Sequence, residues 1–309
     1  MTTDLRVALA DYLQLRRGLG YGLRRDEKLL GQFLDYLDDL GHAAFTVDDA
    51  LAWAKLPEPA SPGWLGMRLS VVRSFAAYLH TLDPAVPVVP PGLLSGRGRR
   101  AVPYLYSDED LAALFCQAET LKTPLRTATM RTLIGLLAVT GMRLGETLAV
   151  DDNDFDADTD ILLVRHGKFG KQRLLPLHQS TAAALIAYRA VRDAWFPTPV
   201  SPALLVSQAG TRLLVFNVGV TFARLVRRAG LAPRSPSCRP RPHDLRHTFA
   251  VRTLLGWYRD GGDIDARLPL LSTYLGHVSP KNTYWYFDTA PELMAEAAHR
   301  LQSAVGRRS

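Results

Sequence analysis

Apolar side chains in the N-terminal part of the chain return every three or four residues, the period of one helix face. Leu29, Leu30, Phe33, Leu34, Leu37 and Leu40 form such a stripe, and Gly41 follows as a stop. Thr46 stands before Val47-Asp48-Asp49, which reads as an N-cap with acid in the first helical turn. After a break from Pro57 to Gly63, Leu65, Leu69, Val72, Phe75, Ala76 and Leu79 mark another amphipathic helix. With an opening helix near Leu5 to Arg17, these segments predict a small helical bundle over residues 1–91.

The periodicity then fails. Proline crowds Pro84 to Pro91, and Gly96-Arg97-Gly98-Arg99-Arg100 follows, so residues 92–104 read as an extended, basic linker. Such a segment is a plain tether by composition, or a strip that tracks a phosphate backbone. A second domain, 105–309, opens with Ser107 capping Asp108-Glu109-Asp110. Arg126 to Val139 is a further apolar helix ended by Thr140-Gly141. Ile161 to Arg165 and Arg173 to Leu177 read as two strands of a hairpin. Helical patterns resume at Thr181 to Trp195, Val218 to Ala229 and Asp244 to Leu255. From Pro291 to Val305, Leu293, Met294, Ala297, Ala298, Leu301 and Val305 share one stripe, equally suited to packing within one subunit or between subunits. The fold class expected is mainly α with a small β-sheet (α+β).

Composition narrows the partners. The 309 residues carry a net charge of +7 and 47% hydrophobic residues, enough for real cores and suggestive of a polyanion. Cys116 and Cys238 are too few for a disulfide framework, which suits a reducing compartment. The residues after Met1 lack the apolar run of a signal peptide, and Leu133 to Val139 is too short to span a bilayer. A soluble, cytoplasmic protein with no membrane partner is expected.

The candidate chemistry is phosphate chemistry. Arg143 lies in Thr140-Gly141-Met142-Arg143-Leu144-Gly145-Glu146, and Lys168 and Lys171 lie at the hairpin turn. His243 and Arg246 lie in His243-Asp244-Leu245-Arg246-His247, His277 follows Leu275-Gly276, and Tyr286 stands nine residues later. Two guanidiniums grip a phosphodiester bidentately, imidazoles and a lysine move protons, and a tyrosine supplies an oxygen nucleophile. Taken singly, each has a plainer reading: a helix-local pair of Arg143 with Glu146, exposed turn lysines, packed aromatics. His243 and His247 have the spacing of a zinc pair but lack a third ligand nearby. No metal and no cofactor is expected.

In this order, Thr-Gly-Met-Arg-Leu-Gly-Glu, the Gly-Lys-x-x-Lys-x-Arg-x-x-Pro-Leu hairpin, His-Asp-Leu-Arg-His-Thr-Phe-Ala, Leu-Gly-His and the later tyrosine resemble the tyrosine recombinase, or phage integrase, family. The likeness runs from about Ser107 to Phe287, and Tyr284-Trp285-Tyr286-Phe287 with Pro291-Glu292-Leu293-Met294 resembles its recombinase-in-trio transposon branch. The resemblance implies a helical core-binding domain and a catalytic domain that form a clamp around DNA, and it favours docking of the Pro291 to Val305 stripe on a neighbouring protomer. It implies a site-specific recombinase acting through a 3′-phosphotyrosine, with Arg143, Lys168, His243, Arg246, His277 and Tyr286 catalytic and Glu146 orienting Arg143. Phe169 stands where many members have glycine, so Lys171 remains the alternative to Lys168 as general acid. Arg97, Arg99, Arg100, Lys171, Arg173, Arg239 and Arg241 are expected on the DNA backbone, with Arg224, Arg227, Arg228 and Arg234 nearby in sequence. Double-stranded DNA at specific recombination sites, a tetramer of this chain and partner recombinases of the same mobile element are the implied partners, with the protein at the nucleoid. Two other classes share these features: a supercoil-relaxing topoisomerase, and a DNA-binding protein without turnover.

Overall fold

The computed structural model describes residues 4–94, 101–165, 172–276, 283–284 and 293–295. The chain divides into two compact units, one within Met1–Arg100 and one within Ala101–Ser309. None of the described helices is long and apolar enough to cross a membrane.

In the first unit, α1 (Leu5–Gly18), α2 (Arg24–Asp39), α3 (Val47–Lys55) and α4 (Pro62–Leu82) close around one core. Their apolar stripes face inward: Leu30, Phe33, Leu34, Leu37, Trp53, Leu69, Val72, Phe75 and Leu79 are all buried. Each such side chain contributes about 1.5–3 kcal/mol when taken out of water. Leu40 departs from its stripe because α2 ends before it; it caps the helix and is 46% exposed. The Thr46 cap is formed reciprocally, with its hydroxyl accepting the Asp49 N–H at 3.1 Å and the Asp49 carboxylate accepting the Thr46 N–H at 2.8 Å. Arg68 on α4 lies 3.7 Å above the Trp53 ring and donates to the Trp53 carbonyl at 2.8 Å, tying α4 to α3.

The expected linker is trimmed at both ends. Leu94 packs on the first core, and Tyr104 belongs to the second. Arg97, Arg99 and Arg100 lie outside the described residues.

The second unit holds α5 (Asp108–Glu119), α6 (Pro124–Thr140), α7 (Leu144–Ala149), β1 (Phe155–Asp156), β2 (Ile161–Val164), β3 (Arg173–Pro176), α8 (Gln179–Trp195), α9 (Val215–Arg228), α10 (Pro242–Arg259) and α11 (Ile264–Leu275). The antiparallel sheet runs β1-β2-β3, with Leu162 opposite Leu175 and Val164 opposite Arg173. Leu162, Val164 and Leu175 are buried on its inner face, and α6 packs against both α8 and α10. Two elements are absent from the sequence reading. The two-residue β1 is too short for a period to register, and Pro269 inside α11 interrupts an otherwise helical spacing of Leu268, Leu271 and Leu275. Leu293 opens the stripe expected to dock on a neighbour, yet it is 0% exposed and packs with Ala250, Leu254, Leu271 and Leu275 of its own unit. The rest of that stripe, beyond Ala295, lies outside the described residues.

Gly141 ends α6 at a φ of 60°. A Cβ there would stand 2.5 Å from Phe249 and 2.9 Å from Leu275. Left-handed strain and overpacking should combine in Gly141→Ala to cost about 2–4 kcal/mol. Chemical denaturation of the pair of proteins checks this; an unchanged midpoint would mean that the turn is easily remodelled.

Candidate active site

Segments far apart in sequence meet at the C-terminal end of α11. After Gly141, Met142 is 1% exposed and anchors the turn in the core. Arg143 then serves as N-cap of α7 and keeps 28% of its side chain exposed. Glu146 closes back on that cap. Its Oε2 accepts the Arg143 backbone N–H at 3.2 Å, and its Oε1 accepts Arg143 Nη1 at 2.6 Å.

A second cation reaches Glu146 from the sheet. Arg173, the first residue of β3, donates Nη2 to Glu146 Oε2 at 2.8 Å and Nε to the Tyr274 carbonyl at 2.9 Å. The Glu146 side chain is only 4% exposed. Burial works to raise its pKa, but Arg173 and then Arg143 outweigh burial and hold the carboxyl below its ordinary range. Glu146 is therefore an anion at neutral pH, shared by two guanidiniums.

The third contribution comes from α10, where Pro242 takes the first helical position. His243 and Arg246 follow at helical spacing. Arg246 is 2% exposed, and donates Nη1 to the Gly141 carbonyl and Nη2 to the Leu275 carbonyl, each at 2.7 Å. Asp244 is fully buried and takes the Arg241 fork through bonds of 2.9 and 2.7 Å. Tyr106 adds a hydroxyl bond to the Arg241 carbonyl at 3.0 Å, fixing the start of the helix.

Consecutive carbonyls at the end of α11 thus each receive one guanidinium: Tyr274 from Arg173, Leu275 from Arg246 and Gly276 from Arg143, at 2.9, 2.7 and 3.0 Å. Helix C-termini leave carbonyls without intrahelical partners and carry negative partial charge, so cations are favoured there. Gly276 suits this twice: its φ is 66°, and a Cβ would lie 3.0 Å from Arg173 Nη1.

His243 keeps one face open to solvent, and its ring stands edge-on to His247 at 4.7 Å. Lost hydration, followed by the positive charges of Arg246, Arg241 and Arg143, lowers its pKa from 6.5 to about 4. The ring is neutral at pH 7. Among the described residues no group of three or more His, Cys, Asp or Glu side chains is disposed to hold a metal ion.

Of the residues singled out in the sequence, Arg143, Glu146, His243 and Arg246 are gathered here. Lys168, Lys171, His277 and Tyr286 lie outside the described residues. Arg239 is exposed. Arg173 and Arg241, expected on the DNA backbone, each pair with a buried carboxylate, Glu146 and Asp244, with 13% of the Arg173 side chain and 40% of the Arg241 side chain exposed. Arg228 and Arg234 are likewise engaged, with Thr120 and with the Leu105 carbonyl. The signal for Arg173 was present: it alternates with Leu175 on the inner face of a strand, where a charge calls for a buried partner.

Comparisons with known proteins identify the family and the fold. Residues 106–292 match the phage integrase family. The chain is 43% identical to the integrase/recombinase y4rB of Sinorhizobium fredii over 97% of this chain and 98% of that protein. It is 35% identical to y4rE of the same organism, over 94% and 93% respectively. Among solved structures, the Tn1549 transposon integrase in complex with transposon right-end DNA superimposes with a TM-score of 0.66 at 18% identity, covering 97% of this chain and 99% of that one.

In the DNA-free protein, the His243 ring should titrate near 4 and not near 6.5. As pH falls through that interval the unfolded chain takes up the proton first, so stability rises with pH across it and levels off above. NMR titration, with the resonance assigned through His243→Gln, measures the midpoint. A midpoint at 6.5 or higher would contradict the cationic surroundings described for this ring.

Proposed function

From the premise that this chain belongs to the phage integrase family of tyrosine recombinases, we propose that it is a site-specific DNA recombinase of a mobile element, breaking and rejoining strands through a 3′-phosphotyrosine. The observation that carries this reading is the convergence of Arg143 and Arg246 on the carbonyls that immediately precede His277, with His243 close enough to feel the charge of both.

In this reading Arg143 and Arg246 hold the non-bridging oxygens of the scissile phosphate, and their effect grows as charge accumulates in the pentacoordinate transition state. Arg246 is buried in the DNA-free chain, so it meets a phosphate only after the surface above it opens on DNA binding. Tyr286 attacks phosphorus, the bond to the 5′-oxygen breaks, and Lys168 (or Lys171) gives that oxygen its proton. Neutral His243 accepts a hydrogen bond from the phenol, and His277 donates one to the phosphate. A phosphate anion entering beside His243 offsets the surrounding guanidiniums and raises its pKa, making it a better base when substrate is bound. Attack by the 5′-hydroxyl of a second duplex reverses the step. Bond energy is conserved in the phosphotyrosine, so the strands exchange without ATP.

Duplex DNA is the partner, with Arg97, Arg99, Arg100 and exposed Arg239 on its backbone and a tetramer assembled over two sites. The likeness of Tyr284-Trp285-Tyr286-Phe287 with Pro291-Glu292-Leu293-Met294 to the recombinase-in-trio branch supports a setting in which partner recombinases of the same element act with it. Such a protein works in the cytoplasm, at the nucleoid.

Tyr286→Phe should abolish covalent attachment to a nicked duplex, while Tyr284→Phe should retain it, because residues two apart on a helix point about 200° apart. Arg143→Lys keeps the charge but loses the planar fork, and should slow attachment by about 100-fold with little change in DNA affinity. Denaturing gels of the adduct and binding titrations read both. An adduct formed by Tyr286→Phe at the normal rate would overturn the assignment.

A further inference from the structure

Arg143 is held by two tethers, Glu146 Oε1 at 2.6 Å and the Gly276 carbonyl at 3.0 Å. Arg173 fixes the anchor of each. It takes the other oxygen of the same carboxylate at 2.8 Å, and it holds the Tyr274 carbonyl, two residues before Gly276, at 2.9 Å. Only a planar fork spans both points; a lysine ammonium supplies one point charge. Its side chain is 13% exposed, against 28% for Arg143, so Arg173 stands behind the site and Arg143 stands at its surface.

We infer that Arg173 is a positioning residue for strand cleavage, acting on the scissile phosphate through Arg143 and making no DNA contact of its own. The inference rests on the recombinase reading. Without Arg173, Glu146 has one cation in place of two, and the end of α11 loses the bond that sets Gly276 opposite Arg143. The Arg143 guanidinium then keeps its charge and loses its aim. A misplacement of about 1 Å in a group that stabilises a transition state costs on the order of 100-fold in rate.

Arg173 also begins β3, two residues after Lys171 and five after Lys168 in sequence. Its bonds to Glu146 and Tyr274 therefore fasten the start of β3 to α7 and α11. In this way the side chain couples the strand that leads from the proposed acid to the guanidinium proposed for the phosphate.

The test uses the full-length chain and a nicked duplex that the wild-type protein captures covalently from a randomised library. Arg173→Gln should leave DNA affinity and its salt slope unchanged, since no counterion-releasing contact is lost. Covalent attachment at saturating protein should slow by about 100-fold. Arg173→Lys, which restores charge beside Glu146, should recover part of the rate. The same duplex with a neutral methylphosphonate at the scissile position needs the Arg143 charge less, so the penalty of either variant should shrink on it. Wild-type rates for Arg173→Gln would overturn the inference. So would weaker binding with a lower salt slope and a normal rate at saturation, which marks a direct phosphate contact. An equal penalty on both substrates would mark a general loss of structure and also overturn it. Should Arg173→Gln fail to fold, the two-substrate comparison with Arg173→Lys decides the same question. If the wild-type protein captures no duplex, the recombinase reading falls and takes this inference with it.

Discussion

A carboxylate stays ionised inside a protein only where cations and hydrogen bonds replace the water it has lost, and the arrangement around Glu146 depends on meeting that condition. Arg143 and Arg173 meet it together, from a helix cap and from the first residue of a strand. Because each guanidinium also satisfies a carbonyl at the end of α11, one buried anion links α7, the sheet and α11. Arg246 closes the same circuit from α10 by bridging Gly141 and Leu275. The cations proposed to act on a phosphate are thus aligned by protein acceptors before any DNA is present. That alignment is the preorganisation that gives electrostatic catalysis its effect.

Glycine at two turns makes the circuit geometrically possible. Gly141 lets α6 stop with Phe249 and Leu275 pressed against its backbone, and Gly276 lets α11 stop under the Arg173 guanidinium. Both residues have positive φ, where a side chain would be strained. Lost hydration first, and the gathered positive charges after it, lower the His243 pKa to about 4. A polyanion that enters the site relieves this repulsion, so the same charges that lower the imidazole's basicity favour binding of a phosphate.

Local chemistry was readable in the sequence wherever it was decided locally. Thr46 and Ser107 announce their helices because a hydroxyl before an acidic first turn has a short-range partner. The stripe on α2 was readable because one face of a long helix is buried, and Leu40 escaped it only because the helix ends first. α11 was hidden by Pro269, and β1 by its length of two residues. In the site, Arg143, His243 and Arg246 were legible as an ordered set. The inner-face position of Arg173 signalled a buried partner, but which partner it takes, and the pairing of Arg241 with Asp244, were not legible, since those partners are chosen by the fold. For Arg173 those partners lie 27 and 101 residues away in sequence. Leu293 makes the same point for packing: a stripe tells that a face is buried, and only the fold tells against what.

The claim at the centre of this account is that the Glu146 charge aims Arg143. Glu146→Gln keeps the shape of the side chain and removes that charge, so the rate of covalent attachment to a captured nicked duplex, measured under single-turnover conditions, tests it most directly. The account predicts a fall of about 100-fold with DNA affinity retained, and little further loss when Arg143→Lys is added, because the two changes act on one interaction. Attachment by Glu146→Gln at the wild-type rate, or full additivity of the two substitutions, would contradict it.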